Sequence, residues 1–140
     1  LDAVFTLPNE IFYPGASASA CCMVFKIGTK HSDVSNPDTY FGYYKEDGFK
    51  KKKNLGRVEQ LDVNTGKSKW LEIEKEWIEL YRNRKAVDGL SATHKVNGDD
   101  EWLCEAYMKT DYTKLTAQDF QQTINDYLAY LIKEGRIYES

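Results

Sequence analysis

The sequence is poor in the residues that build metal centres and disulfide frameworks. Its 140 residues include two histidines, His31 and His94, and three cysteines, Cys21, Cys22 and Cys104. None of these is spaced like a zinc site, where paired Cys or His recur two to four residues apart, so no metal is expected. An odd cysteine count argues against a disulfide framework. The adjacent Cys21 and Cys22 point to opposite faces of a strand, and reduced core thiols are predicted. No Asp or Glu is followed two positions later by Lys, and Pro37-Asp38 supplies only the first half of the acidic set with which restriction-type nucleases hold a metal. No local motif selects Ser17, Ser19 or Cys21 as a nucleophile. No apolar stretch reaches the ~18 residues a membrane helix needs, and no basic segment leads into an apolar one at the N-terminus. The expectation is a soluble, cytoplasmic protein without a membrane partner. A formal net charge of -3 argues against gripping nucleic acid over the whole surface, although a local basic patch can still do so.

What is present is the composition of a folded chain: 41% hydrophobic, 29% charged and 14% aromatic, with 10 Tyr, 6 Phe and 3 Trp. A chain this long can bury ~70% of its unfolded surface, enough for one domain's core. Residues 2–8 read as an apolar strand ended by Pro8, which cannot donate to a ladder. Residues 19–27 are apolar at nearly every position, the mark of a strand covered on both faces. The residues after Ile27 hold no further strand of that quality, so the layers covering this pair are expected mostly outside the chain. Asn9 to Ala18 is longer than a hairpin requires and carries Phe12 and Tyr13. The polar stretch 28–38 separates this pair from the remainder.

Thr39 to Tyr44 reads as an aromatic strand, and the turn signal Asp47-Gly48 predicts a second hairpin from it into Phe49 and the lysine run. Arg57 to Leu61 reads as an edge strand and residues 62–66 as a turn. The helical spacing of Trp70, Ile73, Trp77 and Tyr81 predicts a helix over 69–84 with Ser68 as its N-cap, and makes core packing the better reading of the tryptophans than base stacking. A strand is expected at 93–96 and a short helix over 101–108. Thr116 and Asp119 resemble a capping box, and Phe120, Ile124, Tyr127, Leu128 and Leu131 continue a helix that Gly135 stops.

The dense basic cluster is Lys50, Lys51, Lys52 and Lys53, followed by Arg57. It fits DNA phosphates, and four such contacts would give a slope of log affinity on log salt of roughly -3.6. It also fits a solvated, charged edge that discourages strand association.

The order Leu7-Pro8, then Phe12, then the small-residue loop Ala16-Ser17-Ala18-Ser19, then the apolar strand to Ile27 resembles the end of the catalytic domain of adenine-specific N-6 DNA methyltransferases. The resemblance is to the M (modification) subunit of type I restriction-modification systems. Phe41-Gly42-Tyr43-Tyr44, Asp47 through Lys53, Glu101-Trp102-Leu103 and Asp119-Phe120 resemble the C-terminal part of a subgroup of these subunits. The resemblance implies methyl transfer from S-adenosylmethionine to the adenine amine, in a complex with specificity and restriction subunits. Family members bind the cofactor through a glycine-rich loop and hold the amine with Asn-Pro-Pro-Tyr or Phe; Asn36-Pro37 continues instead with Asp38-Thr39. With neither motif here, the resemblance implies an inactive fragment with no catalytic residue and no bound cofactor. It assigns Phe12, Tyr13, Ser17 and Ser19 to a loop on the target-base side.

The resulting expectation is an α+β chain. Residues 1–27 are a β-hairpin from the end of a methyltransferase α/β sheet, 28–38 a linker, and 39–140 a second hairpin with a C-terminal helical portion. Its expected role is to complete the catalytic sheet and to present a surface to DNA or the specificity subunit, with self-association of the truncated piece. The competing expectation is a free-standing protein-interaction module.

Overall fold

A computed structural model of the chain describes residues 1–136, which fall into two compact units with the boundary between Lys109 and Thr110. The fold is α+β: among the described residues there are two α-helices, a four-stranded sheet and a two-stranded sheet.

In the first unit, β1 (Ala3–Thr6) pairs antiparallel with β2 (Cys21–Val24) and parallel with β3 (Asp38–Tyr43). Strand β4 (Phe49–Lys52) pairs with β5 (Gly56–Glu59), while β6 (Ser91–Lys95) adds antiparallel to β3. The large sheet therefore runs β2-β1-β3-β6. The expected hairpin from residues 39–44 into the lysine run does not form. Tyr40 and Phe41 are fully buried, and burying a side chain on each face of β3 favours a central place in the large sheet. The lysine strand instead closes on β5 through a turn in which Asn54 and Gly56 have positive φ. The expected linker over 28–38 is accordingly a connection inside one sheet, its last residue, Asp38, already in β3, and the chain divides between 109 and 110.

Helix α1 (Trp70–Arg82) covers one face of the large sheet. Ala3, Tyr40, Tyr44 and Leu80 form the core there, with Phe5, Trp77 and Tyr81 packed against it. Ser68 acts near the place expected, its Oγ accepting the Trp70 N–H at 3.3 Å, though the helix begins one residue later than a Ser68 cap implies. Past the helix end Arg84 has φ +51°, and the Lys85 N–H bonds the Leu80 carbonyl in the closing pattern of a left-handed terminus. A non-glycine residue there costs about 1 kcal/mol. The conformation turns the Arg84 guanidinium onto the Asp2 carboxylate and carbonyl. Tyr81 donates to the same carboxylate at 2.6 Å. Burial raises the Asp2 pKa, and the Tyr81 and Arg84 contacts more than offset it, leaving the carboxyl below its ordinary range.

On the opposite face Val4, Phe41, Ala92, Val96 and Cys104 form a second core, flanked by Trp102 and Tyr107. The helix expected over 101–108 reduces to one 3₁₀ turn, Cys104–Ala106, which inserts Cys104 into that core. Thus β1, expected to lack its covering layers, is covered on both faces by its own chain. Strand β2 is not. Cys21, Cys22 and Met23 are exposed at the sheet edge, which corrects the expectation of two core thiols: continuous apolarity marks both strands, and only β1 lies between two neighbours.

In the second unit, α2 (Ala117–Lys133) opens with the predicted reciprocal cap between Thr116 and Asp119 and ends at Gly135, φ +67°. None of its residues is buried.

Candidate nucleic-acid interface

Strand alternation divides the β4–β5 hairpin into two faces. Phe49, Lys51 and Arg57 lie on one, since Lys51 pairs with Arg57 in register; Lys50, Lys52 and Val58 lie on the other, with Lys50 opposite Val58. The first face turns toward the segment after β1, where consecutive turns over 9–15 carry Phe12 and Tyr13. Lys51 Nζ reaches Glu10 at 3.0 Å and stands 4.4 Å from the Tyr13 ring centroid. Lys45 Nζ donates to Asn9 Oδ1 at 2.6 Å, and Ser19 Oγ donates to the same atom at 3.4 Å. At the hairpin entrance Asp47 accepts from Arg57 Nη2 at 2.7 and 2.8 Å and from the Phe49 N–H at 3.1 Å. That ion pair is enclosed, with side-chain exposures of 16% for Arg57 and 9% for Asp47.

Of the residues singled out in the sequence, the structure brings Tyr13 of the loop against Lys51 of the hairpin, 38 positions away, while Ser19 bonds Asn9 within its own loop and Arg57 bonds Asp47. Phe12 and Ser17 stay exposed on the loop. Lys50, Lys52 and Lys53 are exposed and make no ion pair among the described residues. Arg57, the fifth member of the basic cluster, has its guanidinium held by Asp47. Sequence reasoning missed Asn9, Glu10, Lys45 and the pairing role of Asp47. Asp47 reads locally as a turn residue, and only the ladder places Arg57 beside it.

The cleft between loop and hairpin, about 300 Å³, is lined by the carboxylates of Glu10, Glu46 and Asp47 as well as by Lys45, Lys51 and Arg57. Three acids against three bases leave no net attraction for a polyanion. Among the described residues no group of three or more His, Cys, Asp or Glu side chains could hold a metal.

A second concavity, about 320 Å³ and almost wholly apolar, runs between α1 and the β1–β2 edge and is lined by Phe5, Cys22, Tyr44, Trp70, Trp77 and Tyr81. Tyr44 stacks on Trp77 with centroids 4.2 Å apart and on Phe5 at 5.3 Å. Its hydroxyl donates to the Trp77 carbonyl at 2.9 Å and lies 3.1 Å from that of Tyr40, and burial raises the pKa of both phenols. Trp70 and Trp77 meet edge to face at 5.3 Å, which supports packing over base stacking for these two.

Comparison with protein-family models, curated proteins and solved structures found no match for the chain. No helix among the described residues is long and apolar enough to cross a membrane.

Proposed function

We propose that this chain is the C-terminal part of a cytoplasmic, adenine-specific N-6 DNA methyltransferase of the kind that serves as the M subunit of type I restriction-modification systems. In this reading β1 and β2 complete the catalytic sheet, and the loop over 9–19 with the β4–β5 hairpin forms the surface presented to DNA or to the specificity subunit. The restriction subunit would join for cleavage. S-adenosylmethionine belongs to the parent enzyme, whose cofactor and amine-binding motifs are not in these residues.

The observation that carries the reading is the contrast within the first hairpin. Strand β2 has the composition of an interior strand, yet Cys21, Cys22 and Met23 are exposed beside an apolar groove. An uncapped apolar edge is a site for pairing with another strand. A missing sheet neighbour accounts for both features together. The test is methyl transfer from labelled S-adenosylmethionine to duplex DNA. The protein translated with its upstream coding region should methylate adenine, and deletion of 1–27 should abolish this. The present chain alone should give no heat with the cofactor by calorimetry. Saturable micromolar binding to the chain alone would overturn the inactive-fragment reading.

One observation favours the second reading, a protein-interaction module. Phe120, Ile124, Tyr127 and Leu128 form an exposed apolar face on α2, a well-capped helix. That reading gains if the chain binds no duplex DNA at low salt while pairing with a protein partner.

A further inference from the structure

The two faces of the β4–β5 hairpin differ in charge, and the geometry points to a division of labour within the basic cluster: Lys50, Lys52 and Lys53 contact the phosphates of duplex DNA, while Lys51 holds the hairpin to the loop that carries Tyr13 and Arg57 pairs with Asp47 at the hairpin entrance. The inference rests on the DNA-modifying reading and deepens it by naming the surface that meets the backbone. On the loop-facing side every base has an acidic or polar partner: Arg57 with Asp47 at 2.7 Å, Lys51 with Glu10 at 3.0 Å, Lys45 with Asn9 at 2.6 Å. A phosphate entering that cleft would meet the carboxylates of Glu10, Glu46 and Asp47.

The outward side has the opposite character. Lys50 and Lys52 are two residues apart on one face of a strand, ~6.6 Å along it. Lys53 follows at the turn, where the positive φ of Asn54 reverses the chain. All three are exposed and none has an acidic partner among the described residues. Compact ammonium groups on flexible stems suit a phosphate backbone, which asks for charge more than for fixed geometry. Lys51 lies between them in sequence but points to the other side of the ribbon and sits over the Tyr13 ring. It is a positioning residue, and it links a backbone-contacting strand to the loop.

The experiment is fluorescence anisotropy of a short labelled duplex with the full chain, at salt from about 50 to 150 mM. Three phosphate contacts at about -0.9 each predict a slope near -2.7, or about a 20-fold loss of affinity over that range. Lys50→Gln, Lys52→Gln and Lys53→Gln should each lower the slope by about 0.9, and the triple variant should abolish it. Lys51→Gln should leave the slope unchanged. Its second readout is hydrogen exchange of the amides over 9–15, which should quicken in Lys51→Gln and not in the triple variant. The inference is overturned if Lys51→Gln lowers the slope as much as its neighbours do, if the triple variant keeps the wild-type slope, or if the wild-type chain does not bind. Methyl transfer by the longer protein separates the two ideas. Transfer with an unchanged slope in the triple variant defeats this inference alone, and a three-lysine slope without any transfer defeats the methyltransferase reading alone.

Discussion

Gly42→Ala is the most exacting probe of the aromatic stack beside β2. A Cβ at Gly42 would stand 2.7 Å from Tyr44 Cζ and 2.9 Å from Phe5 Cδ1. Ordinary carbon contacts lie near 3.5–4.0 Å, so the overlap is about 1 Å. Tyr44 has little freedom to yield, because its ring is stacked on Trp77 at 4.2 Å and its hydroxyl bonds the Trp77 carbonyl at 2.9 Å. Overpacking of this kind costs about 1–3 kcal/mol, and a lost aromatic pair adds about 1 kcal/mol. The stiffer unfolded chain returns about 0.4–1 kcal/mol. The net expectation is a destabilisation of about 2–3 kcal/mol, or roughly 8–12 °C in Tm at about 4 °C per kcal/mol. Thermal and urea unfolding followed by tryptophan fluorescence reads this directly, since Trp70 and Trp77 border the stack. Gly98→Ala is the control: a Cβ there meets nothing within 4 Å, and the change should stay within about 0.5 kcal/mol. Equal stability of the two variants would refute the packing argument.

Four further outcomes follow from the same structure. Because the Asp2 carboxyl is depressed in the folded state, its contribution is present above the unfolded pKa of about 3.9 and is lost as pH falls through the folded value. The gap in urea midpoint between wild type and Asp2→Asn should therefore be constant from about pH 5 upward and shrink below about pH 4; a gap independent of pH would contradict the pairing. Cys21 and Cys22 are exposed while Cys104 is fully buried, with a thiol pushed up to about 12, so a thiol reagent at pH 8 should titrate two cysteines quickly and the third only on unfolding. Asp47→Asn leaves the enclosed Arg57 without its carboxylate and should cost about 2–3 kcal/mol by thermal unfolding, a result that a purely solvated pair would not give. The uncovered edge of β2 should make the chain self-associate, and light scattering that shows a monomer at high concentration would count against this.

The parts legible in the sequence were those with local causes. The Thr116–Asp119 cap, the three- and four-residue spacing of Trp70, Ile73, Trp77 and Tyr81, and the Asp62–Gly66 turn depend on neighbours within one turn of chain, and each forms within a residue or two of where it is expected. Strand partners did not read in the same way. Val4 pairs in register with Phe41, 37 positions further along the chain, and Asp47-Gly48 resembles a hairpin turn while serving as the approach to a different hairpin. The candidate interface shows the same split. Composition picks out the lysines, but which of them face outward follows from the register of β4 on β5 and from acids at positions 10 and 47. Apolarity alone overstated the burial of β2, since a free edge and an interior strand can carry the same residues.

Amide hydrogen exchange over Cys21–Val24 tests the central claim most directly, in this chain and in the longer protein that the proposed function requires. The account predicts that amides on the side of β2 away from β1 exchange freely in the chain alone and become protected at least about 100-fold in the longer protein, as a further strand pairs with them. Equal, rapid exchange in both proteins would contradict it, because β2 would then be a genuine edge and no larger sheet would be completed.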